Sequence, residues 1–165
     1  MRKRAVPEGQ RNLAPLTIGL GPNFVAGETV DLAIETMWGD RLGEVIEAGA
    51  TLPLGGEPRP INGVGRARFV YAPEAGRFIT GASIGDRVEE GAVVATLGSL
   101  ALRAPIGGVL RGLTRSGVEV PARAKVIEVD PRGDPVGVFG LGERPRRIAE
   151  GVLKALARQR VTEPA

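Results

Sequence analysis

At 165 residues, with 25 Gly, 13 Pro, 4% aromatics and a formal charge of +3, the chain can hold one domain, or one and a half, around a real core. It has no Cys and no His, which excludes disulfides, thiol chemistry, structural zinc, imidazole bases and cysteine nucleophiles. Carboxylates, hydroxyls, Tyr71, three lysines and the arginines remain for any catalysis, and the Gly/Pro content favours many short strands joined by tight turns.

In chain order, residues 1–14 read as a basic tail. Residues 1–11 and 144–165 carry ten of the 22 basic residues and three of the 19 acidic ones, leaving 12 basic against 16 acidic between them. A mildly acidic body is a poor nucleic-acid surface. No stretch approaches 18 consecutive apolar residues and no apolar region follows the Met-Arg-Lys-Arg start, so the expectation is a cytoplasmic protein without membrane or nucleic-acid partners.

Residues 15–64 form an N-terminal β segment of two or three strands with a Gly/Pro-rich loop at 53–65. Its opening, PLTIGLGPNFVAGETVDLAIET, tests a phosphate-loop reading. Gly19 and Gly21 supply two glycines of a dinucleotide fingerprint, but Phe24 stands where the third is needed. Gly27 is followed by Glu28 and Thr29 rather than by Lys and Ser or Thr. Both nucleotide patterns therefore fail. Val30, Leu32 and Ile34 alternate with Asp31, Ala33 and Glu35, the period of a strand, which predicts strand, loop, strand. The loop is a structural turn first and a backbone-lined anion site second.

Residues 65–130 contain a duplication. Shifted by 32 positions without a gap, Ala72-Pro73 falls on Ala104-Pro105, Gly76 on Gly108, Gly85 on Gly117, Val88 on Val120 and Val94 on Val126. One copy is too small to close a core, so the two are expected to pack together as a pseudo-symmetric unit. The pattern resembles the biotinyl and lipoyl domains, whose fold is a barrel-sandwich hybrid of two such half-units. The resemblance implies a mainly β protein of that kind, with extra N-terminal strands and one C-terminal helix. Carrier domains place the modified lysine on the hairpin between halves. The corresponding Leu97-Gly98-Ser99-Leu100 has no lysine, and Lys125 falls on a strand of the second copy. No covalently bound cofactor is expected. Arg66 and Arg68 alternate with apolar neighbours and read as the wet face of a strand.

Residues 131–143 read as a loop. Residues 144–160 read as a helix capping the β body, with Pro145 in the first turn, Arg158 and Arg160 in the last, and Ile148, Val152, Leu153 and Leu156 on one face. Gly151 weakens such a helix by roughly 1 kcal/mol relative to Ala.

The phrases PLTIGLGPNFVAG, VDLAIETMWGDRLGEVI, GDRVEEGAVVATLG, APIGGVLRGL, VDPRGD and RIAEGVLKAL together resemble the YqeB-type accessory proteins of the selenium-dependent molybdenum hydroxylase system. The match covers the C-terminal half of that family's pattern. The other half is Rossmann-like and related to accessory proteins of xanthine dehydrogenase. The chain departs from the pattern at Asn23, where Gly is usual, at Trp38, where a basic or polar residue is usual, and at Asp40, where His is common.

The resemblance implies a non-catalytic module that helps to handle or insert a molybdopterin-type cofactor. Its partners would be a molybdenum hydroxylase or a separate Rossmann-type accessory half, and a homodimer is a further expectation. Lacking Cys, the chain itself cannot carry a persulfide or selenosulfide. The candidate contacts are Gly19, Gly21 and Asn23 in the loop, Glu35 and Thr36, and Asp130 and Arg132. Arg132 would serve as a fork on the ligand's polar rim; the alternative is a turn residue paired with Asp130 or Asp134. Glu35 would orient a ring nitrogen or face water. Two other functions stay open: a cofactor-free docking domain of a larger complex, and an enzyme acting on a nucleotide or pterin through Glu35, Asp130 and Arg132.

Overall fold

A computed structural model describes residues 8–162, with side chains through position 158. The described residues form two compact units, residues 8–56 with 141–162, and residues 57–140.

The first unit holds β1 (Ile18–Leu20), β2 (Val25–Ala26), β3 (Leu32–Ile34), β4 (Val45–Ile46), β5 (Gly49–Ala50) and α1 (Glu143–Thr162). β1 runs parallel to β3, with Ile18 opposite Leu32 and Leu20 opposite Ile34, and β4 runs antiparallel to β3. β2 and β5 pair separately. Five strands replace the expected two or three because each is only two or three residues long, too short for a period of two to show. The predicted alternation fails for the same stretch: Val30, Ala33, Ile34 and Glu35 are all buried. Ala33 joins Ala26, Val30 and Ile46 in an apolar cluster against Phe24, while α1 packs on β3 and β4, so β3 is covered on both faces.

The helix presents a different face from the one expected. Gly151 and Ala155 are buried, Ile148 and Val152 are half-buried, and Leu153 and Leu156 point outward at 66% and 44% exposure. The line of closest approach explains the rotation. A Cβ at Gly151 would strike the carbonyl of Gly43 and the Cγ2 of Ile34, and a Cβ at Gly43 would strike the carbonyl of Arg147. Helix and loop meet backbone to backbone, which only the bare residues allow, and this contact offsets the propensity cost of Gly151. Arg144 Nε donates to the Thr36 carbonyl at 2.7 Å and pins the first turn.

The second unit holds β6 (Phe69–Tyr71), β7 (Gly76–Ile79), β8 (Arg87–Val88), β9 (Val93–Leu97), β10 (Leu100–Arg103), β11 (Gly108–Leu113), β12 (Val118–Val120) and β13 (Lys125–Asp130). They make two four-stranded sheets of order β10-β9-β7-β12 and β6-β13-β11-β8. Adding 32 to β6 through β9 gives β10 through β13, and the same shift turns one sheet's order into the other's. Hydrogen bonds repeat with it. Ala72 N–H donates to Ala124 C=O at 2.8 Å and Ala104 N–H to Ala92 C=O at 2.9 Å. Likewise Gly85 N–H donates to Leu110 C=O and Gly117 N–H to Phe78 C=O.

Each sheet takes strands from both copies, so neither copy has a sheet of its own. The two sheets share one core, with Phe78, Val94 and Leu97 from the first copy and Leu110, Val126 and Val129 from the second. They share no strand and so do not close into a single barrel. The turn before β9 carries Gly91 at φ +82°, and its counterpart before β13 carries Arg123 at φ +67°, a left-handed backbone that costs a residue with a Cβ roughly 1–2 kcal/mol. After β13, a short 3-10 turn at Val136–Val138 leads to Phe139, whose ring occupies the space a side chain at Gly85 would need.

Candidate functional site

The seven residues singled out in the sequence divide between the units. Gly19, Gly21, Asn23, Glu35 and Thr36 lie in the first, Asp130 and Arg132 in the second.

In the first unit the glycine-rich loop joins β1 to β2, as strand, loop, strand. Gly19 is buried within β1, and a Cβ there would lie 2.5 Å from the Phe24 ring. Its bareness makes room for that ring. Gly21 (φ +133°) and Asn23 (φ +68°) turn the chain. The buried Thr51 then latches it, its hydroxyl donating to the Gly21 carbonyl at 2.9 Å and accepting the Phe24 N–H at 3.0 Å. Thr51 carries no sequence signal, because its partners lie 27 and 30 positions away.

Glu35 does not face water. It is fully buried. One carboxylate oxygen accepts the N–H groups of Thr36 and Met37, each at 2.8 Å, and the other accepts Leu52 N–H at 2.8 Å. Three amides disperse the charge that burial would otherwise penalise. Both oxygens are engaged by the chain's own backbone, and Glu35 ties β3 to the segment after β5.

In the second unit, Asp130 ends β13 and is 1% exposed. Arg132 clamps it with a fork, Nε to Oδ1 at 2.9 Å and Nη2 to Oδ2 at 2.6 Å, while its own N–H also reaches Oδ1 at 3.0 Å. Arg111 Nη1 adds a third guanidinium contact at 3.0 Å. The Arg132 hydrogen bonds, with those of Arg111, hold the Asp130 carboxyl well below the usual carboxylate range, and Asp130 in turn raises the Arg132 pKa. Of the two partners weighed for Arg132, the geometry selects Asp130. Asp134 instead accepts the Val136 N–H.

The array continues along the same sheet. Glu128 lies 3.5 Å from Arg68 Nε and 3.8 Å from Arg111 Nε, and accepts Lys125 Nζ at 2.6 Å. Arg68 and Lys125 both lie over the Phe69 ring, 4.4 Å from its centroid. Arg68 overturns the wet-face expectation. It sits in a 3-10 turn, Arg66–Arg68, is 4% exposed, and donates from Nη1 to the carbonyls of Val64 and Gly65. A 3-10 turn does not alternate its faces, so the strand-like pattern misled. Arg66, on the exposed side, bonds Glu57 and the Tyr71 hydroxyl.

Arg111 and Glu128 were missed, though the repeat offered a signal. Their counterparts one copy earlier are Ile79 and Thr96, which face each other across β7 and β9. One copy thus places a neutral pair where the other places opposite charges. Beside the array, at the bulge between β11 and β13, Gly112, Leu113, Thr114, Lys125, Val126 and Ile127 line a hollow of about 150 Å³, less than a pterin-sized ligand needs. Lys125, the lone lysine of the duplicated unit, is thus on a strand and ion-paired.

Of the basic N-terminal tail, positions 1–7 lie outside the described residues. Beyond them Arg11 is tied down, its Nε on Asp31 at 3.0 Å and its Nη1 on the Gly27 carbonyl at 2.6 Å. Thr17 bonds, followed by those of Arg11, lower the Asp31 pKa. Among the described residues no helix is long and apolar enough to cross a membrane.

Over 145 residues, 88% of this chain, the sequence is 39% identical to the uncharacterized protein YqeB of Escherichia coli (strain K12). The chain is similar to YqeB over most of its length. It spans 27% of YqeB, rather than the half that the resemblance implied. The chain matches no protein-family profile.

Proposed function

We propose that this chain is a non-catalytic accessory module in the maturation of a selenium-dependent molybdenum hydroxylase, helping to handle or insert a molybdopterin-type cofactor. The observation that carries the reading is the 39% identity to YqeB across 145 residues, joined to the resemblance of its phrases to that accessory family. The chemistry of the two sites agrees with a module that does not turn over substrate. Glu35 is held by three backbone amides and Asp130 by two arginines. Asp130 is no poised general base, because its arginines hold its carboxyl well below the usual carboxylate range. The partner would be a molybdenum hydroxylase or a Rossmann-type accessory half, and any chalcogen transfer would take place on that partner, since this chain has no Cys.

A second reading is a cofactor-free docking domain of a larger complex. It is favoured by the β9–β10 turn at Gly98-Ser99, the carrier-lysine place of the lipoyl resemblance, which bears no lysine. The test is retention on the immobilised chain. The maturation reading expects a molybdenum hydroxylase or a Rossmann-type accessory protein to be held from host lysate, with molybdopterin detected in the eluate by the fluorescence of its oxidised form. Retention of a complex unrelated to molybdenum, with no pterin, would overturn that reading in favour of docking.

A further inference from the structure

We infer that Arg87, Arg111 and Arg132 form a binding site for a phosphate-type dianion on the outer side of the β6-β13-β11-β8 sheet. The inference draws on the charge array alone and stands whether or not the maturation reading does.

Three observations build the site. The first is register. Arg87 on β8 lies opposite Val109 on β11, and Val109 lies opposite Asp130 on β13. Residues opposite one another in a sheet share a face, so Arg87 projects on the side of the Asp130 carboxylate. Val109 is buried yet does not join the apolar cluster between the sheets, which puts this row on the outer side. Arg87 also reaches the Asp130–Arg132 turn, because a Cβ at Gly133 would lie 3.6 Å from its Nη1.

The second is pre-organisation. A buried carboxylate fixes both other arginines, yet leaves part of each outward. Arg132 uses Nε and Nη2 on Asp130, Arg111 uses Nη1, and the two side chains remain 47% and 37% exposed. Arg132 Nη1 and Arg111 Nη2 make no hydrogen bond among the described residues. A guanidinium fork already oriented loses little freedom on meeting an oxyanion.

The third is charge. Arg87 makes no hydrogen bond or ion pair among the described residues, so its charge is not offset. Arg111 and Arg132 share the one charge of Asp130, Asp134 acts on Arg132 at longer range, and Glu128 lies with Arg68 and Lys125 as well as Arg111. The array keeps a positive excess. Its donors are planar and spaced for oxygens, which suits phosphate better than a halide or a single carboxylate.

The probe is inorganic phosphate, titrated at low salt into the 15N-labelled full chain while the Nε–Hε signals of its arginines are followed. Saturable shifts of the Arg87, Arg111 and Arg132 signals are expected in the millimolar range or tighter. Arg87→Ala is expected to weaken binding about tenfold without lowering the thermal midpoint, since Arg87 makes no internal bond. Arg77→Ala, an exposed arginine on β7, is expected to leave it unchanged. Shifts that grow linearly without saturating, or an affinity that Arg87→Ala does not alter, would overturn the site. Because inorganic phosphate is the probe, failure here leaves pterin retention by the chain as a separate result.

Discussion

Among the described residues two carboxylates are buried, Glu35 and Asp130, and they are held in opposite ways. Glu35 in the first unit is surrounded by main chain, its oxygens filled by the N–H groups of Thr36, Met37 and Leu52. Asp130 in the second is surrounded by side chains, the half-exposed guanidiniums of Arg111 and Arg132. Backbone amides cannot swing away to find water when their acceptor is removed, whereas an arginine can. The first arrangement is therefore a structural joint, and the second is an assembly with donors left over for something outside the protein.

The largest difference between them should appear on deletion. Glu35→Ala leaves three amides without their acceptor, and at roughly 1 kcal/mol or more for each buried donor left unpaired the loss should be about 3–5 kcal/mol, read as a fall in the urea midpoint. Glu35→Gln should cost less, about 2 kcal/mol. Its carbonyl can still take the Thr36 and Met37 amides, but its NH2 then confronts the Leu52 N–H. If Glu35→Ala unfolds no more easily than wild type, the joint is not one.

Asp130→Asn should cost less again, about 1–2 kcal/mol, because Arg111 and Arg132 regain water where a buried pair could not. Its signature is the pH profile. The folded pKa of Asp130 lies below its ordinary 3.8, so its ionised form stabilises the fold in full above about pH 4 and that contribution is lost as the pH falls toward the folded value. The gap in stability between wild type and Asp130→Asn should accordingly be constant near neutrality and shrink in acid. A gap that widens in acid would mean that the carboxylate is not held by its arginines.

The duplication was the most legible feature of the sequence, since six identities at one spacing record a pseudo-symmetry that the strand order reproduces. What escaped were features set by partners distant in sequence. The Glu35 amide ring closes through Leu52, the Thr51 latch joins residues about 30 positions apart, and the buried face of α1 is chosen by Gly43 and Gly151 meeting. The hydrophobic period selected Leu153 and Leu156, but closeness of backbones outweighed side-chain apolarity. At the candidate site, Asp130 and Arg132 were visible because they are two positions apart. Arg111 and Arg68 were not, because only the sheet register and a 3-10 turn bring them to the array.

The smallest effect separates the two carboxylates most cleanly. Arg132→Ala removes one half-exposed fork but leaves Arg111 on Asp130, and should cost about 0.5–1 kcal/mol at low salt, the ordinary worth of a solvent-facing ion pair. Near 1 M salt the screening length shortens to about 3 Å, so most of that cost should vanish. The cost of Glu35→Gln, whose partners are neutral dipoles in contact with it, should stay the same across that range. Urea unfolding of both variants at the two salt concentrations gives the comparison directly. Equal salt sensitivity would mean that the Glu35 site also depends on a mobile cation, with Arg41, whose pKa is raised chiefly by Glu44 and least by Glu35, as the one to test.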